Sequence, residues 1–147
     1  MEASQDIVLA YTVCSTDASA ALGLRVRLDD IVVYENSHVT QQERIQHTLP
    51  DTDAAHELSF ELFGKLPVHT KIDQNGAIVS DAMLSIMALE FDGIDISSLM
   101  VSLAEYHHDF NGSQDPVVDE FYGAMGCNGT VTLKFTTPIY LWLLENM

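Results

Sequence analysis

Ten carboxylates between residues 72 and 133 are the side chains whose type and spacing most directly suggest chemistry. This part of the chain contains no Lys and no Arg, so no base that is close in sequence offsets the negative charges. Because burying an unpaired carboxylate is costly, these acids must stay in water, bind cations or meet bases from elsewhere in the chain. The ten are Asp73, Asp81, Glu90, Asp92, Asp95, Glu105, Asp109, Asp115, Asp119 and Glu120.

Hard oxygen ligands are concentrated in residues 105–129, which have the composition of a long loop. Asp109, Asn111 and Asp115 follow one another closely, and Gly112 between them permits a tight wrap. Side-chain oxygens of this kind suit calcium, so calcium is the cofactor that this segment would bind. The alternative is structural, with Asp115 capping a helix and Asn111 forming only a turn.

His107, His108 and Cys127 are the residues that would serve a catalytic site. Adjacent residues of a strand point to opposite faces, so the two histidines cannot both serve one site. The chain has no Gly-rich phosphate loop, no Gly-x-Ser-x-Gly and no His-Glu-x-x-His motif. We therefore expect a protein that is not an enzyme and in which Cys14 and Cys127 are free thiols.

The overall charge restricts the partners. The chain has 22 acidic and 6 basic residues, which gives a net charge of −16. Such a surface repels nucleic acid and anionic lipid, and it suits divalent cations or a basic protein. No apolar run approaches the ~20 residues of a membrane helix, and the first six residues lack the features of a signal peptide. We expect no nucleic-acid partner, no membrane partner and synthesis in a cytoplasm without secretion.

The dominant hydrophobic period is two, which predicts strands. Half-buried strands are predicted at 23–28, 56–62 and 130–136, and more apolar strands at 6–13 and 31–35. Residues 83–91 are predicted to be a strand buried on both faces, with a helix as the alternative. The strands are separated by Asn-Gly and Asp-Gly turns. This pattern indicates one all-β domain over residues 1–147, an antiparallel, jelly-roll-like β-sandwich on which residues 98–147 pack as a C-terminal extension.

One or two short helices are expected near the C-terminus. Asp115-Pro116 predicts a helix over 117–122, and Thr137-Pro138 predicts a second over 139–144. The second segment is strongly apolar, so Tyr140, Trp142 and Leu143 must pack on the protein's own sandwich or on a neighbour. These three residues are the candidate interface.

Residues 79–94 resemble the last strands of calcium-dependent carbohydrate-binding modules of the xylan-binding type. In these modules an Asp precedes an apolar strand that leads into a hydrophobic–Asp–Gly–hydrophobic turn, here Phe91-Asp92-Gly93-Ile94. The resemblance spans roughly residues 6–97. It implies a sandwich fold, a calcium ion held by Asp81, and glycan binding with Tyr106 or Tyr122 exposed to stack on sugar rings.

Residues 98–147 resemble small virion proteins of tailed phages, notably marine phages. The resemblance implies a structural or adaptor component of the virion, made in the host cytoplasm, that assembles with copies of itself and with other virion proteins. A charged fraction of 19% fits a surface that neighbours cover. This virion protein is the first hypothesis, a calcium-dependent glycan-binding module is the second, and an enzyme using His107, His108 or Cys127 is the third.

Overall fold

Two antiparallel sheets enclose the core in the computed structural model, which describes residues 6–147. The first sheet has the order β12-β8-β1-β4, with β9 paired to β8. Its strands are β1 (Asp6–Ser15), β4 (Glu43–Pro50), β8 (Leu84–Phe91), β9 (Ile94–Asp95) and β12 (Ala124–Met125). The prediction that the chain lacks a signal peptide was made from residues 1–6, and residues 1–5 lie outside the described residues.

The second sheet has six strands in the order β11-β10-β13-β5-β2-β3. Its strands are β2 (Gly23–Leu28), β3 (Ile31–Asn36), β5 (Ala54–Phe63), β10 (Glu105–His108), β11 (Val117–Glu120) and β13 (Gly129–Thr137). A separate hairpin consists of β6 (Thr70–Ile72) and β7 (Ile78–Asp81), and the helices are α1 (Ser97–Leu103) and α2 (Ile139–Asn146). The predicted class, an antiparallel β-sandwich with short helices, is confirmed.

Large aromatic side chains fill the space between the sheets. Tyr11 of β1 meets Phe60 of β5 at a ring-centroid distance of 5.0 Å, and Phe91 of β8 meets Phe135 of β13 at 4.8 Å. These contacts join one sheet to the other, and the four rings are at most 2% exposed. Burial of this size supplies the main free energy that holds the sheets together.

The predicted strand over 83–91 is present as β8, and the helix alternative is wrong. The prediction that this strand is buried on both faces is also wrong, because Leu84, Ile86, Leu89 and Phe91 are buried whereas Met87 and Ala88 are exposed. The predicted helix over 117–122 is also wrong, because residues 117–120 form β11 and pair with β10. Two successive β-branched residues, Val117 and Val118, favour an extended backbone, and this preference outweighs the helix-start signal of Asp115-Pro116. The sequence pattern did not predict β4 or α1.

Residues 98–147, predicted as an extension packed on the sandwich, contribute β10, β11 and β13 to the six-stranded sheet. The predicted C-terminal helix is present as α2. Trp142 and Leu143 are buried in the core, whereas Tyr140 is 51% exposed. Of the three candidate interface residues, only Tyr140 therefore has a side chain that a partner could reach on the folded protein. Within residues 6–147, no helix has the length and apolarity needed to cross a membrane.

Candidate functional site

A buried lysine lies at the centre of the loops at one end of the sandwich. Lys65 follows β5, and its side chain is only 1% exposed. Its Nζ donates hydrogen bonds to Asp81 Oδ1 and to the carbonyl oxygen of Gly126, both at 2.5 Å. Thr70 Oγ1 donates to the same carboxylate oxygen at 2.7 Å. A buried ammonium is tolerated where it is paired and hydrogen-bonded, and these contacts meet that condition.

Asn128 holds the backbone of the same lysine. The N–H of Lys65 donates to Asn128 Oδ1, and Asn128 Nδ2 donates to the carbonyl of Lys65, each at 2.9 Å. The N–H of Asn128 in turn donates to Asn111 Oδ1 at 2.7 Å. The buried Tyr106 hydroxyl completes the network, since it accepts from the N–H of Cys127 at 2.9 Å and donates to the carbonyl of that residue.

Two of the four predicted calcium ligands belong to this network. Asp81 is joined to Asn111 through Lys65 and Asn128, so the fold brings these two residues, distant in sequence, to one end of the sandwich. A calcium ion takes about 6–8 oxygen ligands, and the Asp81 carboxylate already serves an ammonium and a hydroxyl. A second positive charge beside a buried ammonium is repelled. The residues around Asp81 therefore do not fit calcium.

The other two predicted ligands, Asp109 and Asp115, make no hydrogen bond to this network within the described part of the chain. Asp109 Oδ1 accepts from the N–H of Gly112 at 2.8 Å and so closes a turn in which Asn111 has a φ of 59°. Asp115 is exposed. Among residues 6–147 there is no group of three or more His, Cys, Asp and Glu side chains placed to hold a metal ion. A calcium site in this loop stays a prediction.

Bases from elsewhere in the chain reach two of the ten carboxylates. Lys65 pairs with Asp81, and Arg44 on β4 pairs with Glu90 on β8 at 2.9 Å. Reasoning from sequence missed Lys65 because it lies outside the base-free segment. The only signal was its place as a lone charged residue between Gly64 and Leu66. Asn128 was interpreted only as a turn residue, and its two bonds to Lys65 had no signal in the sequence.

An open groove of about 520 Å³ lies along β10 and β11, next to this network. Tyr122 forms one side of it and is 74% exposed, whereas Tyr106 is buried at 6%. The Tyr122 hydroxyl donates to Glu120 Oε2, and this bond raises the pKa of Tyr122. His108 Nε2 donates to Asp119 Oδ2 at 2.6 Å. The groove is lined by Tyr106, His108, Val118, Asp119, Glu120, Tyr122 and Ala124.

The residues of the catalytic hypothesis are spread over different environments. His107 is exposed and His108 is buried, as expected for neighbours on one strand. Burial raises the pKa of the Cys127 thiol, and the nearby carboxylates Asp81, Asp109 and Asp119 raise it further against the opposing effect of Lys65. A thiol with a raised pKa is a weak nucleophile at neutral pH. Cys14 and Cys127 are both free.

No protein-family model matches the sequence, and no curated protein matches it. Solved structures do resemble the fold. The carbohydrate-binding module vCBM60, in complex with galactobiose, is similar with a TM-score of 0.50 at 9% identity, over 86% of this chain and 96% of that chain. A second structure of vCBM60, described in connection with a circular permutation that links two families of calcium-dependent carbohydrate binding modules, has a TM-score of 0.48 at 7% identity, over 86% of this chain and 89% of that one. At these identities the likeness concerns the fold alone, a β-sandwich that this chain shares with vCBM60.

Proposed function

We propose that the protein is a non-catalytic carbohydrate-binding module and that the groove along β10 and β11 binds the glycan. The proposal is supported by the fold, which it shares with a structure that holds galactobiose. The observation that carries it is the exposed ring of Tyr122 beside two carboxylates. A solvent-exposed aromatic ring can stack on a sugar ring, and neighbouring carboxylates can accept hydrogen bonds from its hydroxyls.

The chemistry of the groove suits a neutral sugar. A pyranose has an apolar face of C–H groups, which packs on an aromatic ring, and a rim of hydroxyls, which donate hydrogen bonds. Tyr122 supplies the ring, and Glu120 and Asp119 supply carboxylate oxygens that accept from hydroxyls. An acidic glycan is disfavoured, because its carboxylates would face these residues and the net charge of −16.

Binding is tested by affinity electrophoresis on xylan and on galactan, and by calorimetry with galactobiose. We expect Tyr122→Ala to weaken binding by about two- to tenfold, since a lost aromatic contact is worth roughly 0.5–1.5 kcal/mol. Tyr122→Phe keeps the ring and should retain most of the affinity. Tyr140→Ala is the matched control, because Tyr140 is an exposed tyrosine on α2, away from the groove. Wild-type protein that binds none of these glycans, or equal losses in the two alanine variants, would overturn the proposal.

Assembly with other proteins, which the sequence resemblance would place in a tailed-phage virion, is the second candidate function, and the exposed apolar side chains of the β6–β7 hairpin favour assembly. Five apolar side chains on and just before this hairpin are 56–70% exposed, and Ile72 and Ile78 lie opposite each other across its two strands, so the hairpin offers apolar area that a neighbour would cover. They are Leu66, Val68, Ile72, Ile78 and Val79.

The assembly role predicts a defined oligomer of the purified protein by light scattering after gel filtration. Ile78→Asp should dissociate this oligomer, whereas Asp30→Asn, at an exposed turn between β2 and β3, should leave it intact. A monomer at all accessible concentrations would argue against assembly with copies of itself. The glycan and assembly proposals are independent, since their residues lie on different elements.

A further inference from the structure

The side chain of Lys65 fills the position beside Asp81 that a metal ion would need. Its ammonium lies between a carboxylate oxygen and a backbone carbonyl oxygen, each at 2.5 Å. Carboxylates, carbonyls and hydroxyls are the groups that hard cations take as ligands, and Thr70 adds the hydroxyl. The arrangement is a small cation site in which the cation is the side-chain ammonium of Lys65.

The contacts of this cation join segments that are far apart in sequence. Asp81 lies 16 residues after Lys65, and Gly126 lies 61 residues after it. The lysine is itself held at its backbone by the side chain of Asn128, which bonds both its N–H and its carbonyl. The ammonium and the amide therefore link the end of β5, the end of β7 and the loop between β12 and β13.

We propose that the Lys65 ammonium replaces a metal ion at Asp81 and fastens these three segments together, so that the protein keeps this end of the sandwich ordered without calcium. Sequence resemblance implies calcium at Asp81, and the contacts of Lys65 disagree with that expectation. The proposal concerns the folded state alone and does not depend on glycan binding.

We call the contacts of the Lys65 ammonium with Asp81 and Gly126 the lysine clamp. A double-mutant cycle on the thermal and urea unfolding of the full chain tests the clamp. Lys65→Met leaves the Asp81 carboxylate without its cation, and Asp81→Asn leaves a buried ammonium without its anion. Each single change should raise the unfolding equilibrium constant by roughly 100-fold or more, and the double variant should lose much less than both together. Lys71→Met is the matched control, because Lys71 on β6 is exposed and its loss should have little effect. Losses that simply add would overturn the proposal.

A second measurement decides the matter even where a variant does not fold. The thermal midpoint of the wild-type protein is recorded in calcium chloride, in sodium chloride at the same ionic strength, and with a chelator. We expect the two salts to give the same midpoint at matched ionic strength, and the chelator to change nothing. A calcium-specific rise in the midpoint of the wild-type protein that the chelator reverses would overturn the proposal that this end of the sandwich is ordered without calcium.

Discussion

At the scale of single residues, the contact between Tyr11 and His47 makes the stability of the fold depend on pH. His47 on β4 shares a 2.7 Å hydrogen bond between its Nε2 and the Tyr11 hydroxyl. Burial lowers the pKa of His47, because the charged imidazolium is poorly solvated there. Burial also raises the pKa of Tyr11, so this hydroxyl stays protonated over the whole accessible range. The pair is therefore neutral in the folded protein.

This neutrality predicts a loss of stability in mild acid. As the pH falls below the ordinary His value of about 6.5, the unfolded chain takes up a proton at residue 47 before the folded chain does, and the free energy of unfolding decreases. His47→Gln keeps a polar side chain beside Tyr11 but does not titrate, so it should lose less stability than the wild type between neutral pH and pH 5. Urea unfolding followed by Trp142 fluorescence at several pH values measures this difference. Parallel pH profiles in the two proteins would contradict it.

At the scale of elements, the close approach of neighbouring strands requires a glycine at position 129. Asn128-Gly129 was interpreted from the sequence as a turn, but Gly129 is the first residue of β13 and pairs with both His108 and Leu62. An added Cβ would lie 2.3 Å from the backbone oxygen of His107, which cannot move without disturbing β10. Glycine is required at this position because a larger side chain would clash with the backbone of β10.

Gly129→Ala should therefore lower the free energy of unfolding by about 2–3 kcal/mol, the upper part of the range for overpacking. Gly126→Ala is the control, because its added Cβ would meet no atom closer than 3.5 Å and should cost much less. Chemical denaturation of both variants measures the difference. Similar losses would show that the space around Gly129 relaxes easily.

The strand β13 was predicted from its period of two, whereas β1 and β3 were predicted from their apolar composition. In β13 the buried residues alternate with more accessible ones over most of its length, and residues 130–136 were predicted from that period. In β4 the inward-facing residues are Ile45, His47 and Leu49, and the polar His47 between the two apolar residues interrupts the hydrophobic period of two. Helix α1 is seven residues long and buries only Leu99 and Met100, so it too left little pattern. Local hydrophobic period therefore predicts a strand only where the inward face is regularly apolar.

The residues of the candidate site also divide into those that local sequence features identify and those that only the fold brings together. Asp81 was named from the resemblance to carbohydrate-binding modules, which rests on a local feature, an Asp ahead of an apolar strand, and Tyr122 was named with Tyr106 as an aromatic residue that a glycan-binding module would expose. The partner of Asp81 was not predictable, because Lys65 lies 16 residues earlier in the chain and the contact depends on where the fold places the ends of β5 and β7. Charge counting predicted that the acids need cations, but only the fold identifies which base meets which acid.

At the scale of the whole molecule, the groove and the lysine clamp share one side chain. Tyr106 on β10 lines the groove, and its ring lies 4.5 Å from the ring of His108. Its hydroxyl bonds the backbone of Cys127, in the loop that the clamp holds. The clamp therefore supports one wall of the proposed glycan site. A change at Lys65 should disturb the groove indirectly, whereas a change at Tyr122 should leave stability unaltered.

The net charge of −16 makes the folded protein sensitive to salt, because compaction brings acids together. One instance is direct: Glu105 on β10 lies opposite Glu120 on β11, and like charges facing each other across strands are destabilising. Sodium chloride shortens the screening length from about 10 Å at 0.1 M to about 3 Å at 1 M, so the thermal midpoint should rise over this range. Glu105→Lys turns the repulsive pair into an attractive one, and it should raise stability by about 0.2–1 kcal/mol while weakening the salt dependence. Calorimetry of both proteins across the salt series checks this, and a wild-type midpoint that stays constant would mean that the carboxylates lie too far apart to repel.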